Sequence, residues 1–191
     1  PNIMTVSVLS TKLYAPPLRD DRVSRPRLLQ LLQAGASRKL TMVSAPAGFG
    51  KTTLIRDWLD QQTTPFVWYQ LDDADGDPAR FITHLRAGIR QHLANINTGL
   101  DGIFQGQGLP PAETVFTELI NDIAIAQQPL IIVLDDYHRL DSSYIDEGIG
   151  FLIKNQPAQL HLVILTREDP NLPLAGMRGR GMLTEIRAGH L

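Results

Sequence analysis

The segment from Leu40 to Gln61, LTMVSAPAGFGKTTLIRDWLDQ, constrains this chain more than any other. Leu40 to Ala45 is a short apolar run stopped by Pro46 and Gly48, which predicts a buried strand ending in a turn. From Lys51 to Gln61, Leu54, Trp58 and Leu59 fall on one side at helical spacing. A strand that enters a helix through so short a loop commits the chain to a layered α/β architecture, because the helix must pack back on the sheet.

The remaining periodicity agrees. Phe66 to Leu71 (FVWYQL) is rich in aromatic and β-branched residues and reads as a second strand. Leu130 to Asp136 (LIIVLDD) and Leu160 to Thr166 (LHLVILT) read as central strands, and Thr184 to Ala188 as a last short one. Helices are predicted over Pro26 to Ala34, over Pro78 to Leu93 with Asp77 as its cap, and over Pro111 to Gln127. Ala94 to Pro111, with four glycines and two prolines, reads as a long loop with freedom to move. Strands alternating with helices give a parallel sheet with helices on both faces, a three-layer sandwich. Residues 1–27 read as an extended arm and 28–191 as the core. An end so close to a strand suggests a piece of a longer protein.

Ligands in such sheets bind beyond the carboxyl ends of the strands, where the polar residues of this sequence gather. Ala45 to Thr52 matches the phosphate-loop pattern GxxxxGK(S/T), with Ala45 in place of the first glycine. Along Pro46, Ala47, Gly48, Phe49 and Gly50, the glycines let backbone amides turn toward a β-phosphate, and the helix start adds free amides. Lys51 would reach the β- and γ-phosphates, Thr52 would ligate magnesium, and Thr53 would touch the α-phosphate. An ordinary strand-to-helix turn could match the pattern by chance; the flanking strand, the helix and the downstream carboxylates argue for nucleotide.

Asp135, closing an apolar strand, is the expected second magnesium residue. Asp136 is placed to orient or deprotonate an attacking water, the alternative being that it caps the next turn. His138 is read as a structural hydrogen-bonding residue. Thr166 and Arg167 close the next strand, where a γ-phosphate could be read and its developing charge neutralised, although Arg167 could equally be a solvated loop residue. Arg178 and Arg180 are weaker candidates of the same kind. His84 and His92 lie eight apart without nearby acids, so no zinc is expected.

Composition excludes other classes. With 18 Lys and Arg against 20 Asp and Glu, no global field favours nucleic acid or anionic lipid. The absence of Cys excludes a disulfide framework and fits a cytoplasmic location. No apolar run nears the roughly 20 residues of a membrane span, and the start shows no secretory leader.

These motifs, in their order, resemble the ATP-binding module of the STAND class of P-loop NTPases, specifically of MalT-like, LuxR-family transcriptional regulators. The likeness rests on LSTKLYAPPLRDDRVSRPRLLQLL, SAPAGFGKTTLIRDWL, VWYQLDDADGDPARFITHL, LIIVLDDYHRLDS and LVILTREDPNLPLAGMRGRGMLTEIRAGHL, and so covers nearly the whole chain. It implies that Val23, Ser24 and Arg25 lie beside the adenine and favour ATP over GTP, and that Thr166 or Arg167 senses the nucleotide. It further implies an ATP/ADP switch with Mg2+ that hydrolyses slowly, self-associates within a longer protein, and meets DNA only through a domain absent from this chain. A small-molecule kinase, with Gly99 to Gly108 as its only candidate lid, and a non-catalytic module that retains nucleotide are the competing readings.

Overall fold

A computed structural model of the chain describes residues 6–94, 96, 99–106 and 108–191. Five strands form one sheet: β1 Leu40–Ser44, β2 Phe66–Gln70, β3 Leu130–Asp135, β4 Leu160–Thr166 and β5 Leu183–Arg187. Their order is β2-β3-β4-β1-β5, and every pairing is parallel. Both faces are buried, as a parallel sheet requires, and side chains divide between them with a period of two. Leu130, Ile132 and Leu134 enter a core cluster with Phe81, Leu85, Phe116 and Ile149, while Ile131 and Val133 enter another with Leu32, Leu54 and Trp58.

The second cluster is closed by α1 Pro26–Gly35 and α2 Lys51–Asp60, the first by α3 Pro78–Arg90, α4 Ala112–Ala126, α5 Ser143–Asn155 and α6 Leu174–Gly179. The chain is thus the expected three-layer α/β sandwich. Asp77 caps α3 by accepting from the Arg80 amide at 2.8 Å, ahead of Pro78 at the first helical position. No helix among the described residues is long and apolar enough to cross a membrane.

Three local features depart from the sequence expectations. The arm is not wholly extended, since Ser10–Leu13 forms a 3-10 turn. Lys12 of that turn is buried and paired with Asp72 and with the fully buried Asp75, and Asp75 also accepts from the Tyr69 hydroxyl at 2.8 Å. The arm therefore covers β2, which would otherwise be an open sheet edge. Second, α5 and α6 form where no element was predicted. Third, the long loop is tied down where it is described: Leu100 is buried, and Asp101 pairs with both Arg86 and Arg90 of α3. Its residues 95, 97, 98 and 107 lie outside the described residues.

Candidate functional site

Register places the polar strand ends in one row. Ser44 is level with Thr166 on one side and Arg187 on the other, and Gln70 is level with Asp135. The Ala45 amide continues the β1 ladder onto the Thr166 carbonyl at 3.2 Å, and the chain then leaves the sheet. Gly48 and Gly50 take φ of 82° and 77°, the left-handed region open to glycine. A Cβ at Gly50 would also lie 3.1 Å from the Arg25 guanidinium. No side chain caps the start of α2, whose first-turn amides are the kind an anion engages.

Lys51 is buried and donates to the carbonyls of Ala45 at 2.7 Å and Pro46 at 3.0 Å. Burial lowers its pKa, with Arg167 adding to the effect and the charges of Asp136 and Asp135 opposing it. One residue on, the Thr52 hydroxyl donates to Asp135 Oδ2 at 3.4 Å. Asp135 is only 3% exposed and accepts from the Asp136 amide at 2.9 Å. Burial first, and then the charge of Asp136, pushes its carboxyl up to about 6. A hydroxyl and a buried carboxylate at this separation, only partly offset by the Lys51 charge and facing an uncapped helix start, fit a hard divalent cation held with a phosphate chain.

Asp136 follows the last residue of β3 in the left-handed region, φ 58°, uncommon for a residue with a Cβ. Its Oδ2 accepts from the Gln70 side-chain amide at 2.7 Å, and His138 Nδ1 stands 4.0 Å from its Oδ1. The His138 Nδ1 atom is buried without a hydrogen-bond partner. Burial depresses the His138 pKa, partly offset by Asp136. Gln70 escaped the sequence reading. The available signal was a polar residue closing an apolar strand on the same side of the sheet as the two carboxylates.

Thr166 is fully buried, and its hydroxyl donates to the Glu168 carbonyl at 2.7 Å, so it shapes the turn that presents the exposed Arg167. Arg167 lies near enough to depress both Lys51 and His138. Arg178 instead makes a two-point pair with Glu185 at 2.6 and 2.7 Å, and Arg180 is exposed. On the other side of the loop, Val23 and Arg25 line a cleft of about 180 Å³ together with Gly50, Thr53, Leu54 and Asp57, whereas Ser24 does not line it. Arg25 donates to the Phe49 carbonyl at 3.3 Å and so joins the arm to the glycine loop.

Comparison with known proteins adds four observations. The AAA ATPase domain family matches residues 17–165. The HTH-type transcriptional regulator MalT of Cronobacter sakazakii is 34% identical over 184 residues, 96% of this chain, yet the chain spans only 20% of that relative's length. Among solved structures, Cdc6p from Pyrobaculum aerophilum is similar with a TM-score of 0.60 and 18% identity, over 96% of this chain and 50% of that one. A Signal Transduction ATPase with Numerous Domains (STAND) protein with a tetratricopeptide repeat sensor from Pyrococcus horikoshii gives 0.56 and 20%, over 91% and 24%. At such identities the structural likeness is one of fold.

Proposed function

The chain belongs to the AAA ATPase domain family, and from that premise we propose that it is the ATP-binding and slowly hydrolysing switch module of a LuxR-type transcriptional regulator. One observation carries the proposal. Thr52 and Asp135 meet at 3.4 Å beside the uncapped start of α2, with Asp136 turned out of the strand next to them.

The amides from Gly48 to Thr53 and the Lys51 ammonium would hold the phosphate chain, and Thr52 with Asp135 would hold magnesium. Magnesium there would neutralise charge on the β- and γ-phosphate oxygens. Asp136 would accept a proton from, or orient, the attacking water, and Gln70 would keep that carboxylate in one rotamer. Arg167 would stabilise charge on the γ-phosphate, and the turn held by Thr166 would set its position. The arm would supply one wall of the adenine site through Val23 and Arg25, with Ser24 between them facing away from the cleft. Self-association, DNA contact through a separate domain and a cytoplasmic location follow from the likeness to MalT and belong to this proposal.

The purified protein should bind ATP with magnesium and release phosphate slowly without an added acceptor. Lys51→Ala should abolish binding, and Asp136→Asn should keep binding while lowering turnover by about 10²-fold or more. Lys51→Ala that binds ATP like the parent would overturn the phosphate-loop assignment. Unchanged turnover in Asp136→Asn would remove Asp136 as the base.

A further inference from the structure

The chain leaves β3 through Asp136 into a 3-10 turn, Tyr137–Arg139, that is fixed on both sides of its central residue. The Arg139 amide donates to the Asp136 carbonyl at 2.9 Å and the Leu140 amide to the Tyr137 carbonyl at 3.0 Å. Tyr137 is buried, and its hydroxyl donates to Asp146 Oδ1 of α5 at 2.8 Å. The backbone of His138 therefore has little freedom, and its ring is turned inward, with 12% of the side chain exposed.

His138 Nδ1 is closed off from solvent and has no hydrogen-bond partner. A buried polar atom costs stability until it is paired. An acceptor stands close by, Asp136 Oδ1 at 4.0 Å, which is roughly 1 Å beyond the reach of an N–H···O bond. Asp136 has the matching asymmetry: its Oδ2 accepts from the Gln70 side-chain amide at 2.7 Å, and Oδ1 is the oxygen toward His138. Burial favours the neutral ring, which carries one proton, and a carboxylate beside Nδ1 favours the tautomer with that proton on Nδ1.

We infer that His138 is a positioning residue for hydrolysis, donating from Nδ1 to Asp136 Oδ1 so that the carboxylate is held between His138 and Gln70 while it acts on the attacking water. The inference rests on the reading of Asp136 as the residue that orients or deprotonates that water. Each carboxylate oxygen keeps a second lone pair, so the clamp leaves room for the water's proton. A base displaced by about 1 Å can lose about 10²-fold in rate, and losing one of two holding contacts should cost less, about tenfold.

The test is steady-state ATP hydrolysis, with ATP affinity and urea unfolding measured alongside, for His138→Leu, His138→Asn and His138→Gln. An asparagine amide nitrogen is bonded to Cγ, as Nδ1 is, whereas a glutamine amide nitrogen lies one atom farther out, as Nε2 does. His138→Leu and His138→Gln should lower kcat by about tenfold with KM and ATP affinity little changed, and His138→Asn should recover kcat to within about threefold of the parent. On an Asp136→Asn background, His138→Leu should lower the residual rate by no more than about twofold, since the group it positions is gone. A parent-like kcat in His138→Leu, equal impairment of the asparagine and glutamine variants, or a full tenfold further loss on the Asp136→Asn background would overturn the inference. If His138→Leu does not unfold cooperatively, the comparison of the asparagine and glutamine variants decides alone. A parent that binds ATP and releases no phosphate would instead overturn the hydrolytic reading of Asp136, and this inference with it.

Discussion

Asp135→Asn should stabilise the metal-free protein while removing its response to magnesium nucleotide. The side chain is 3% exposed, and the substitution is nearly isosteric. Its oxygen can still accept from the Asp136 amide, and its new amide can donate to the Thr52 hydroxyl, so both existing hydrogen bonds have replacements. What disappears is a buried negative charge beside that of Asp136. The folded carboxyl titrates at about 6 against an ordinary 3.8. The raised value means that the folded state holds its proton longer than the unfolded chain does. The stability owed to this group is therefore full below pH 4 and is lost as pH rises to 6 and beyond. Linkage converts the shift into a difference between variant and parent that is under about 1 kcal/mol near pH 4 and grows to about 3 kcal/mol above pH 7. Urea unfolding in chelator from pH 4 to 8 measures that difference directly, with the other carboxylates cancelling between the two proteins. Adding magnesium and ATP at about 100 times the dissociation constant should then raise the parent by about 2.7 kcal/mol and leave the variant unmoved. A pH-independent difference, or a variant less stable than the parent at pH 7.5 in chelator, would refute the claim that the buried charge of Asp135 costs the folded state stability.

Other changes test separate parts of the site and scaffold. Gln70→Ala should lower kcat for ATP hydrolysis by about tenfold with KM little changed, since it frees Asp136 without touching the phosphate loop; steady-state kinetics with an unchanged kcat would remove Gln70 as its positioning residue. Lys12→Met should cost about 3 kcal/mol in urea unfolding, because fully buried Asp75 loses one of its two cations and keeps only Arg80; a loss below about 1 kcal/mol would show that the arm is dispensable to the core. Gly148→Ala should destabilise by about 1–2 kcal/mol despite a helix-propensity gain of about 1 kcal/mol, because the added Cβ would lie 2.0 Å from the Phe116 ring; thermal melts showing a gain would mean that α4 and α5 separate easily.

Gly148 also explains where the sequence becomes hard to read. Strands that are buried on both faces and end in carboxylates or Thr-Arg announce themselves, because apolar runs and their polar stops are local features of the chain. Helix α5 is different. Its apolar residues Ile145, Ile149, Leu152 and Ile153 have helical spacing, and Ser142 caps it by accepting from the Ile145 amide, but Gly148 and Gly150 depress its intrinsic propensity. Gly148 is required by a ring from α4, a contact between elements more than thirty residues apart that no local window contains. The same limit applies to the site. Lys51, Thr52 and Asp135 are legible because their chemistry follows from adjacent residues, whereas Gln70 depends on the pairing of β2 with β3. The phosphate-loop pattern is thus local to the chain, while the hydrogen bond that holds Asp136 exists only through the pairing of distant segments.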